Sequence, residues 1–546
     1  MTNAKQNINS EKKEDDKKEI AQSMDGVLNS YDEMPYESYP FAQSSPEKLA
    51  TLATLFGMSP PKIETARVLE LGCAAGGNLI PHAVHYPKGQ YVGVDLSKVQ
   101  VEDGQKHIKA LGLSNIELKH CSITDIDESF GKFDYIICHG VFSWVPDFVK
   151  DKILEISSKN LSPSGVAYIS YNTLPGWNMI RTIRDMMRYH AKGFVNPKDK
   201  VVQARALLSF VKESLEGQDT PYSKMLAQEA ELLSKHGDAY IRHDHLEDDN
   251  TQFYFSDFME YAAKHNLQYL SDVALSTMYI GNMKPSVIEK LQGVNDIIKT
   301  EQYLDFINNR RFRSTLLCHN NIAINRSLNN NHIKDFAISL DITPEKPFNQ
   351  AELESNEAVK FLFKNDTNQN VSSSSPWLKA ALFVLAEHKG FPLKFDTIVD
   401  KASKYFKEES KSHIAAELLN NAMNLVIKGY MEISLFERDK TSINLEKPTL
   451  SNLALYQVNN TTNTWVTGVN HSPIGINVFD HYALKHMDGK NSKKQILDNL
   501  LKDVTDGKFN VSRDNVKIDD PKEVKKELAT YLDNTITRLS TLSVFE

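Results

Sequence analysis

Between Arg67 and about Tyr171, short apolar runs alternate with segments in which apolar residues recur at helical spacing. The runs "RVLEL", "QYVGVD", "NIELKH", "FDYIICH" and "GVAYISY" are typical of buried strands, whereas "KVQVEDGQKHIKAL" and "DKILEISSKNL" have helical spacing. Strands that alternate with helices are typical of parallel βαβ units. The pattern predicts an α/β fold: a Rossmann-like, doubly wound sheet of five strands with a ligand crevice at the carboxyl ends of the strands.

The chain before this core consists of two segments that differ in composition. Residues 1–24 carry mixed charges and almost no aromatic side chains, which predicts a disordered tail. The aromatic stretch "SYDEMPYESYPF" follows, and "SPEKLATLATLFGM" predicts a short helix with Ser45 as its N-cap. We assign residues 25–177 to the core with this aromatic lead-in.

The chain after the core divides into four predicted regions. Helical patterning over 178–330, as in "NMIRTIRDMMRYHA", predicts a mainly helical middle domain, and Asn- and Ser-rich segments make 331–375 a linker region. Three helical patterns and then a strand predict a winged-helix-like domain over 376–450. Residues 451–546 form a C-terminal α+β region whose pattern indicates no particular fold.

Composition narrows the class of protein and of partner. With 546 residues the chain exceeds one hydrophobic core, and its 41% hydrophobic and 25% charged content is that of a globular protein. A net charge of −8 lacks the basic field that holds a phosphate backbone, so no nucleic-acid partner is expected. Four scattered cysteines without a CxxC pair argue against a zinc or other metal site and indicate a reducing cytoplasm. No apolar run reaches the ~20 residues of a membrane span, so no membrane insertion is expected.

The stretch "VLELGCAAGGN" carries the first candidate chemistry. A strand, a glycine-rich turn and the start of a helix follow in the order that lets backbone N–H groups hold a ligand. Gly72, Ala74 and Gly76 match an x-Gly-x-Gly-x-Gly pattern with one substitution. Asp95 ends the next strand, about 20 residues on, where a ribose-binding carboxylate belongs. Dinucleotide enzymes and S-adenosylmethionine (AdoMet) methyltransferases share this arrangement.

Two residues discriminate between these ligands. Glu70 precedes the first glycine of the loop, and its carboxylate would repel a pyrophosphate but attract the ammonium and sulfonium groups of AdoMet. Ala74 stands where a dinucleotide site needs a glycine for close approach of the pyrophosphate, which AdoMet lacks. The loop therefore predicts AdoMet as the cofactor and S-adenosylhomocysteine (AdoHcy) as the product.

Further side chains surround the predicted crevice. "HCSI" after the third strand places Ser122 and Ile123 near the adenine, although many methyltransferases carry an Asp where Ser122 stands. "CHGVFSWVP" after the fourth strand lines the methyl-transfer region with His139, Phe142 and Trp144, with ordinary core packing as the alternative for each aromatic ring. The cofactor-binding set predicted from these motifs is Glu70, Gly72, Cys73, Ala74, Gly76, Asn78, Asp95, Leu96, Ser122, Ile123, His139 and Gly140.

Longer motifs outside the core carry a resemblance. "YDEMPYESYPF", "YISYNTLPGWN", "HDHLEDDNTQFYFSDFMEYAAKHNLQYLSDVALSTM" and "NRRFRSTLLCH" occur in this order. Together they resemble class I methyltransferases that carry a methyltransferase regulatory domain. Within that group the layout resembles the bacterial protein-lysine methyltransferases that modify a large outer-membrane surface protein. The resemblance covers about residues 27 to 510.

The resemblance implies roles for several residues and a class of substrate. Tyr31 would approach the methionine end of AdoMet, and Tyr171 and Asn172 would face the transferred methyl group. The substrate would be an outer-membrane surface protein with accessible lysines, methylated in the cytoplasm, and a homodimer is one possible assembly. For Tyr171 and Asn172 the alternative is a strand end before the turn at Pro175 and Gly176.

A lysine side chain must be neutral to accept the methyl group. At a pKa of about 10.4 a lysine is neutral only about once in 2,500 molecules at pH 7, so aromatic walls that desolvate the amine would help. Trp177 joins the candidate aromatic residues. Two other functions stay open: a methyltransferase for RNA or a small molecule, and an AdoMet-sensing winged-helix regulator.

Overall fold

The structure is a computed structural model that describes residues 37–364, 366–407, 409–438, 444–513, 516–540, 542, 544 and 545. The predicted tail 1–24 and Tyr31 lie outside this part of the chain. Within it, no helix combines the length and the apolar character needed to cross a lipid bilayer.

A seven-stranded sheet forms the centre of the fold. The five predicted strands are confirmed, and they pair in parallel in the order β3-β2-β1-β4-β5. Strand β7 continues the sheet antiparallel to β5, and β6 pairs antiparallel with β7 at the edge. The strands are β1 Arg67–Leu71, β2 Gln90–Asp95, β3 Ile116–His120, β4 Phe133–Cys138, β5 Leu161–Asn172, β6 Leu267–Asp272 and β7 Phe312–His319.

The sheet has two strands beyond the five predicted, because β6 and β7 come from the region 178–330 that was predicted as mainly helical. Both strands stand between strongly periodic helices, and the buried charged residue Arg313 interrupts the apolar pattern of β7. The guanidinium of Arg313 is paired with Glu301 and Asp305 at 2.8 Å. The boundary predicted after residue 177 therefore cuts through one continuous sheet.

Helices pack on the central sheet, and further helices form the long segment inserted between β5 and β6. Ser45 caps the first helix as predicted, since its Oγ accepts a hydrogen bond from Lys48 N at 3.3 Å. The helices up to β7 are α1 Pro46–Leu55, α2 Ile80–His85, α3 Lys98–Ala110, α4 Asp147–Lys159, α5 Trp177–Ala191, α6 Pro197–Ser214, α7 Pro221–Ser234, α8 Phe255–Lys264, α9 Pro285–Leu291 and α10 Ile297–Asn308. Helices α5–α7 bury a hydrophobic cluster of their own.

The region 331–375 is folded, so its prediction as a linker is wrong. Its strands are short and lie among Asn and Ser residues, which hides them in the composition. It contains β8 Ala337–Ser339, β9 Ile342–Pro344, α11 Gln350–Glu354, β10 Val359–Phe363 and β11 Asn370–Ser373, of which β9, β10 and β11 form an antiparallel sheet.

The three helices and the strand predicted over 376–450 are present, and a short strand that was not predicted lies between the first two helices. They are α12 Pro376–His388, β12 Leu393–Lys394, α13 Phe395–Ser403, α14 Lys411–Ile427 and β13 Glu432–Ser434. Strand β8 completes a three-stranded sheet between β12 and β13. Their apolar side chains join the same hydrophobic cluster as the central sheet.

The C-terminal region has a separate hydrophobic cluster. It is built from α15 Asn452–Asn460, β14 Trp465–Thr467, β15 Pro473–Gly475, α16 Val478–Lys485, α17 Lys493–Thr505, β16 Ser512–Arg513, β17 Val516–Lys517 and α18 Pro521–Ser540. This C-terminal body contacts the central domain next to the glycine-rich turn. Tyr456 Oη lies 2.7 Å from His107 Nδ1 on α3, and the rings of Trp465 and Tyr39 are 5.1 Å apart.

Candidate functional site

The glycine-rich turn after β1 is held against β2 by its own backbone. The amides of Gly72 and Cys73 both donate to Val94 O, at 2.9 and 3.0 Å. Gly72, Ala74 and Gly76 all have positive φ, at 76°, 48° and 76°. The position that lacks the expected glycine is therefore a left-handed position that an alanine occupies under strain.

Asp95, at the end of β2, fixes the turn from the other side. Its Oδ2 accepts a hydrogen bond from Ala74 N, and its Oδ1 accepts one from Ser97 N, both at 2.8 Å. Each carboxylate oxygen can accept more than one hydrogen bond, so these contacts are compatible with additional hydroxyl donors. Leu96 follows, and its carbonyl lies 3.1 Å from His120 Nε2.

Glu70 is a buried carboxylate with one oxygen in use. Asn78 Nδ2 donates to Glu70 Oε1 at 2.8 Å, whereas Oε2 has no hydrogen-bond partner among the described residues. No lysine or arginine in this part of the chain forms an ion pair with it. Burial, with a contribution from Asp95, raises the pKa of Glu70 to about 8, although the bond from Asn78 lowers it. An unpaired buried carboxylate is costly, so the pocket fits a cationic ligand.

The segment before α1 closes over the loop. Gly77 N donates to Ser38 Oγ at 2.8 Å, and Phe41 N donates to Asn78 Oδ1 at 2.9 Å. A Cβ atom on Gly77 would lie 2.1 Å from Ser38 O, so only glycine allows this approach. Ser38 and Phe41 were not among the predicted site residues. Two features of the sequence could have indicated them. One is the aromatic stretch before the first helix, and the other is Gly77, to which no role was given.

Ser122 and Ile123 lie at the end of β3, beside the end of β2. The register pairs His120 with Asp95, which brings the following residues to the same edge of the sheet. Ser122 caps a 3₁₀ turn, with its Oγ 2.7 Å from Thr124 Oγ1 and its N donating to Asp125 at 3.0 Å. Both predicted residues are half-buried at the rim of the crevice.

His139 and Gly140 follow β4 and contact β5. His139 Nδ1 lies 2.9 Å from Tyr168 Oη and 3.3 Å from Ser170 Oγ, and Gly140 N donates to Ser170 Oγ at 2.9 Å. The ring of Phe41 covers the imidazole at a centroid distance of 4.2 Å. Desolvation by these neighbours lowers the pKa of His139 to about 4, so the ring is neutral near pH 7.

Asn172 and Trp144 stand at the carboxyl ends of β5 and β4. Asn172 Nδ2 donates to Asn250 Oδ1 at 3.3 Å, and Gln252 Nε2 donates to the same oxygen at 2.7 Å. Two donors on one oxygen fix the orientation of the Asn250 amide. Trp144 packs edge-on against Trp177, with ring centroids 6.2 Å apart. Asn250 was not predicted, because nothing in its sequence context shows its contact with Asn172.

Phe142 and Tyr171 do not belong to this group. Tyr171 is 1% exposed, its ring stacks on Phe258 at 4.0 Å and its hydroxyl lies 3.0 Å from Thr315 Oγ1. Phe142 is fully buried among the same aromatic rings. The prediction that these two side chains face the transferred methyl group is corrected, because both pack inside the core on the other face of β5.

Three protein-family models match the chain. A methyltransferase domain matches residues 63–228, a predicted methyltransferase regulatory domain matches 237–319, and the C-terminal winged helix domain of PKMT matches 446–544. The regulatory-domain match contains β6 and β7, which complete the central sheet. The winged-helix match covers the C-terminal body, whereas the winged-helix-like domain was predicted over 376–450.

Full-length relatives are also found. An uncharacterized protein of Rickettsia prowazekii (RP789) is 53% identical over 511 residues, which cover 93% of this chain and 92% of that protein. The structure of PKMT2 from Rickettsia typhi in complex with AdoHcy is similar with a TM-score of 0.85 and 39% identity, covering 94% of this chain and 100% of that one. A second structure of PKMT2 gives a TM-score of 0.84.

Proposed function

The chain belongs to the AdoMet-dependent methyltransferases that combine a methyltransferase regulatory domain with a PKMT-type winged helix domain, and from this premise we propose that it methylates lysine side chains of a protein. The substrate we propose is an outer-membrane surface protein, modified in the cytoplasm before its export. PKMT denotes protein-lysine methyltransferase. The observation that carries the proposal is the similarity to PKMT2 over nearly the whole chain.

The residues of the glycine-rich turn fit AdoMet. We propose that Glu70 Oε2, the buried oxygen without a described partner, pairs with the ammonium of the amino-acid end. Asp95 would accept hydrogen bonds from the ribose hydroxyls, and the half-buried Ser122 and Ile123 would lie against the adenine. Bound AdoMet supplies a methyl group on a sulfonium, which a nucleophilic amine can attack.

We propose that Asn172 orients the attacking amine. Its Nδ2 is held by Asn250, and its Oδ1 accepts no hydrogen bond within the described chain. A neutral amine could donate one N–H to that oxygen and direct its lone pair at the methyl group. Most of the rate would then come from alignment, with no need for a covalent intermediate.

The surroundings favour the neutral amine. Trp144 and Trp177 supply aromatic walls that desolvate a lysine side chain and lower its pKa, and their π faces can hold a methylated ammonium. The neutral ring of His139 adds no further positive charge to a crevice that already has to accept a sulfonium. Trp177 Nε1 is buried without a partner among the described residues, so it could bind a carbonyl oxygen of the substrate.

The class of methyl acceptor can be tested directly. The purified protein is incubated with methyl-labelled AdoMet and three acceptors in parallel: a lysine-rich fragment of an outer-membrane surface protein, total RNA and a small-metabolite extract. We expect label in the protein fragment. The matched control is the same fragment with every lysine replaced by arginine, which should stay unlabelled. Label in RNA or in metabolites alone would overturn the proposal.

A further inference from the structure

A side chain of the C-terminal body contacts the glycine-rich turn. His471 lies in the turn between β14 and β15, and its Nε2 is 2.8 Å from Asn78 Oδ1, although the two residues are 393 positions apart. We propose that His471 is a positioning residue of the AdoMet site, so that the C-terminal body completes the cofactor pocket. The inference rests on the proposed pairing of Glu70 with the amino group of AdoMet.

The direction of this hydrogen bond follows from the other partners of Asn78. Phe41 N donates to Asn78 Oδ1, and Asn78 Nδ2 donates to Glu70 Oε1 and to Ser44 Oγ, at 2.8 and 3.1 Å. The oxygen of Asn78 is thus an acceptor, and His471 Nε2 must carry the proton. His471 and Phe41 together hold the amide so that its nitrogen faces Glu70.

The contact is buried and well supported. His471 is 7% exposed and its ring stacks on His82, with centroids 3.7 Å apart and an interplanar angle of 21°. Arg438 Nη1 donates to Val469 O in the same turn at 2.7 Å, and Arg438 Nη2 bonds both oxygens of Glu47 on α1. The turn is therefore tied to the central domain through Val469 as well as through the His471 ring.

This arrangement couples two sites. Loss of the donor on His471 leaves Asn78 Oδ1 with one partner and lets the amide rotate, which weakens its hold on Glu70. By reciprocity, a ligand that pairs with Glu70 and orders Asn78 also strengthens the docking of the C-terminal body. The C-terminal body then has a role in cofactor binding in addition to any contact with substrate.

The test uses the full-length chain and AdoHcy, whose affinity is measured by calorimetry without turnover. His471→Phe keeps a ring on His82 but has no donor, and we expect affinity to fall by up to about tenfold. His471→Gln, which restores a donor at similar reach, should recover most of it. The matched control is Tyr456→Phe, which removes the interdomain hydrogen bond to His107 but leaves the hydrogen bonds of Asn78 in place.

A second readout follows the coupling. In the unmodified protein AdoHcy should slow amide hydrogen exchange in residues 468–472, and in His471→Phe this protection should be lost. Wild-type affinity in a folded His471→Phe protein, or an equal loss in Tyr456→Phe, would overturn the inference. Glu70→Gln separates it from the proposed function: if that variant also binds normally, the placement of the amino group at Glu70 is wrong.

Discussion

The side-chain amide of Asn78 donates a 2.8 Å hydrogen bond to Glu70 Oε1, and the two side chains are buried together beneath the glycine-rich turn. The amide satisfies only one carboxylate oxygen and leaves Oε2 without a partner in the described chain. One oxygen of Glu70 is therefore held in place by Asn78, and the other is available to pair with a positive charge such as an ammonium group.

The raised pKa of Glu70 predicts that ligand binding releases a proton. The carboxyl is protonated below about pH 8 in the free protein, and an ammonium ligand would lower that pKa. AdoHcy affinity should therefore rise by up to about tenfold for each pH unit between about pH 6 and 7.5, before the ligand amine itself titrates. Calorimetry in buffers of different ionisation enthalpy measures the proton released. Glu70→Gln should abolish the pH dependence, and a flat profile for the unmodified protein would contradict the assignment.

The same pKa predicts how stability depends on pH without ligand. Because the folded-state pKa is raised above the value of 4.5, the stabilising contribution is present below about pH 4.5 and is lost as pH rises through about 8. Glu70→Gln does not titrate there. Its free energy of unfolding relative to the unmodified protein should therefore improve steadily between those pH values, as measured by urea unfolding. A constant difference would show that folding does not raise the pKa of Glu70.

Ala74 predicts a stabilising substitution. Its φ of 48° lies in the left-handed region, where a Cβ atom costs roughly 1–2 kcal/mol and glycine costs little. Ala74→Gly should raise the free energy of unfolding by about 1 kcal/mol, after the greater entropy of glycine in the unfolded chain is subtracted. The control is Ala75→Gly, whose φ is not positive and which should destabilise. A less stable Ala74→Gly protein would contradict the backbone argument.

Asp95 is expected to matter for both the loop and the ribose. Asp95→Ala removes the acceptor of Ala74 N and Ser97 N together with the proposed ribose contact. AdoHcy affinity should fall by about 10- to 100-fold, since hydrogen bonds to a charged group contribute about 1.5–3 kcal/mol. Asp95→Asn keeps one acceptor oxygen, so its AdoHcy affinity should lie between those of the unmodified protein and Asp95→Ala. Unchanged affinity in Asp95→Ala would remove the ribose assignment.

Asn172 and Tyr171 provide a matched pair of neighbours on β5. Asn172→Ala should lower kcat at least about tenfold by misaligning the amine, while AdoHcy affinity stays the same. Asn250→Ala, which frees the Asn172 amide, should act in the same direction. Tyr171→Phe removes only the buried hydroxyl on Thr315, so it should cost about 1 kcal/mol of stability and leave kcat unchanged. A large loss of kcat in Tyr171→Phe would restore its predicted role.

The sequence was sufficient for the strands and turn that form the cofactor end of the site. The loop around Ala74 and the carboxylate of Asp95 are local features, because a strand, a turn and a helix follow each other within about 30 residues. The spacing of their apolar residues and the glycines of the turn predicted them directly. The ligand charge could also be predicted from Glu70, because its side chain lies within the same local unit.

The remainder of the site depends on contacts between distant parts of the chain. Asn250 and His471 reach the site from other domains, and no pattern within one segment encodes such a contact. For Tyr171, the apolar run "GVAYISY" predicted the strand but not which face turns toward the crevice. Ser170 and Asn172 turned out to lie on the crevice face and Tyr171 on the other. Strands β6 and β7 were missed because a long helical insertion separates them from β5.

The methylated atom itself tests the central claim most directly. The outer-membrane protein fragment is incubated with the enzyme and labelled AdoMet, digested, and sequenced by tandem mass spectrometry. The account predicts label on lysine Nζ, at an initial rate at least about tenfold lower with Asn172→Ala, and no label in the fragment in which arginine replaces every lysine. Label on carboxyl, arginine or terminal amino groups, or equal labelling of the lysine-free fragment, would contradict it.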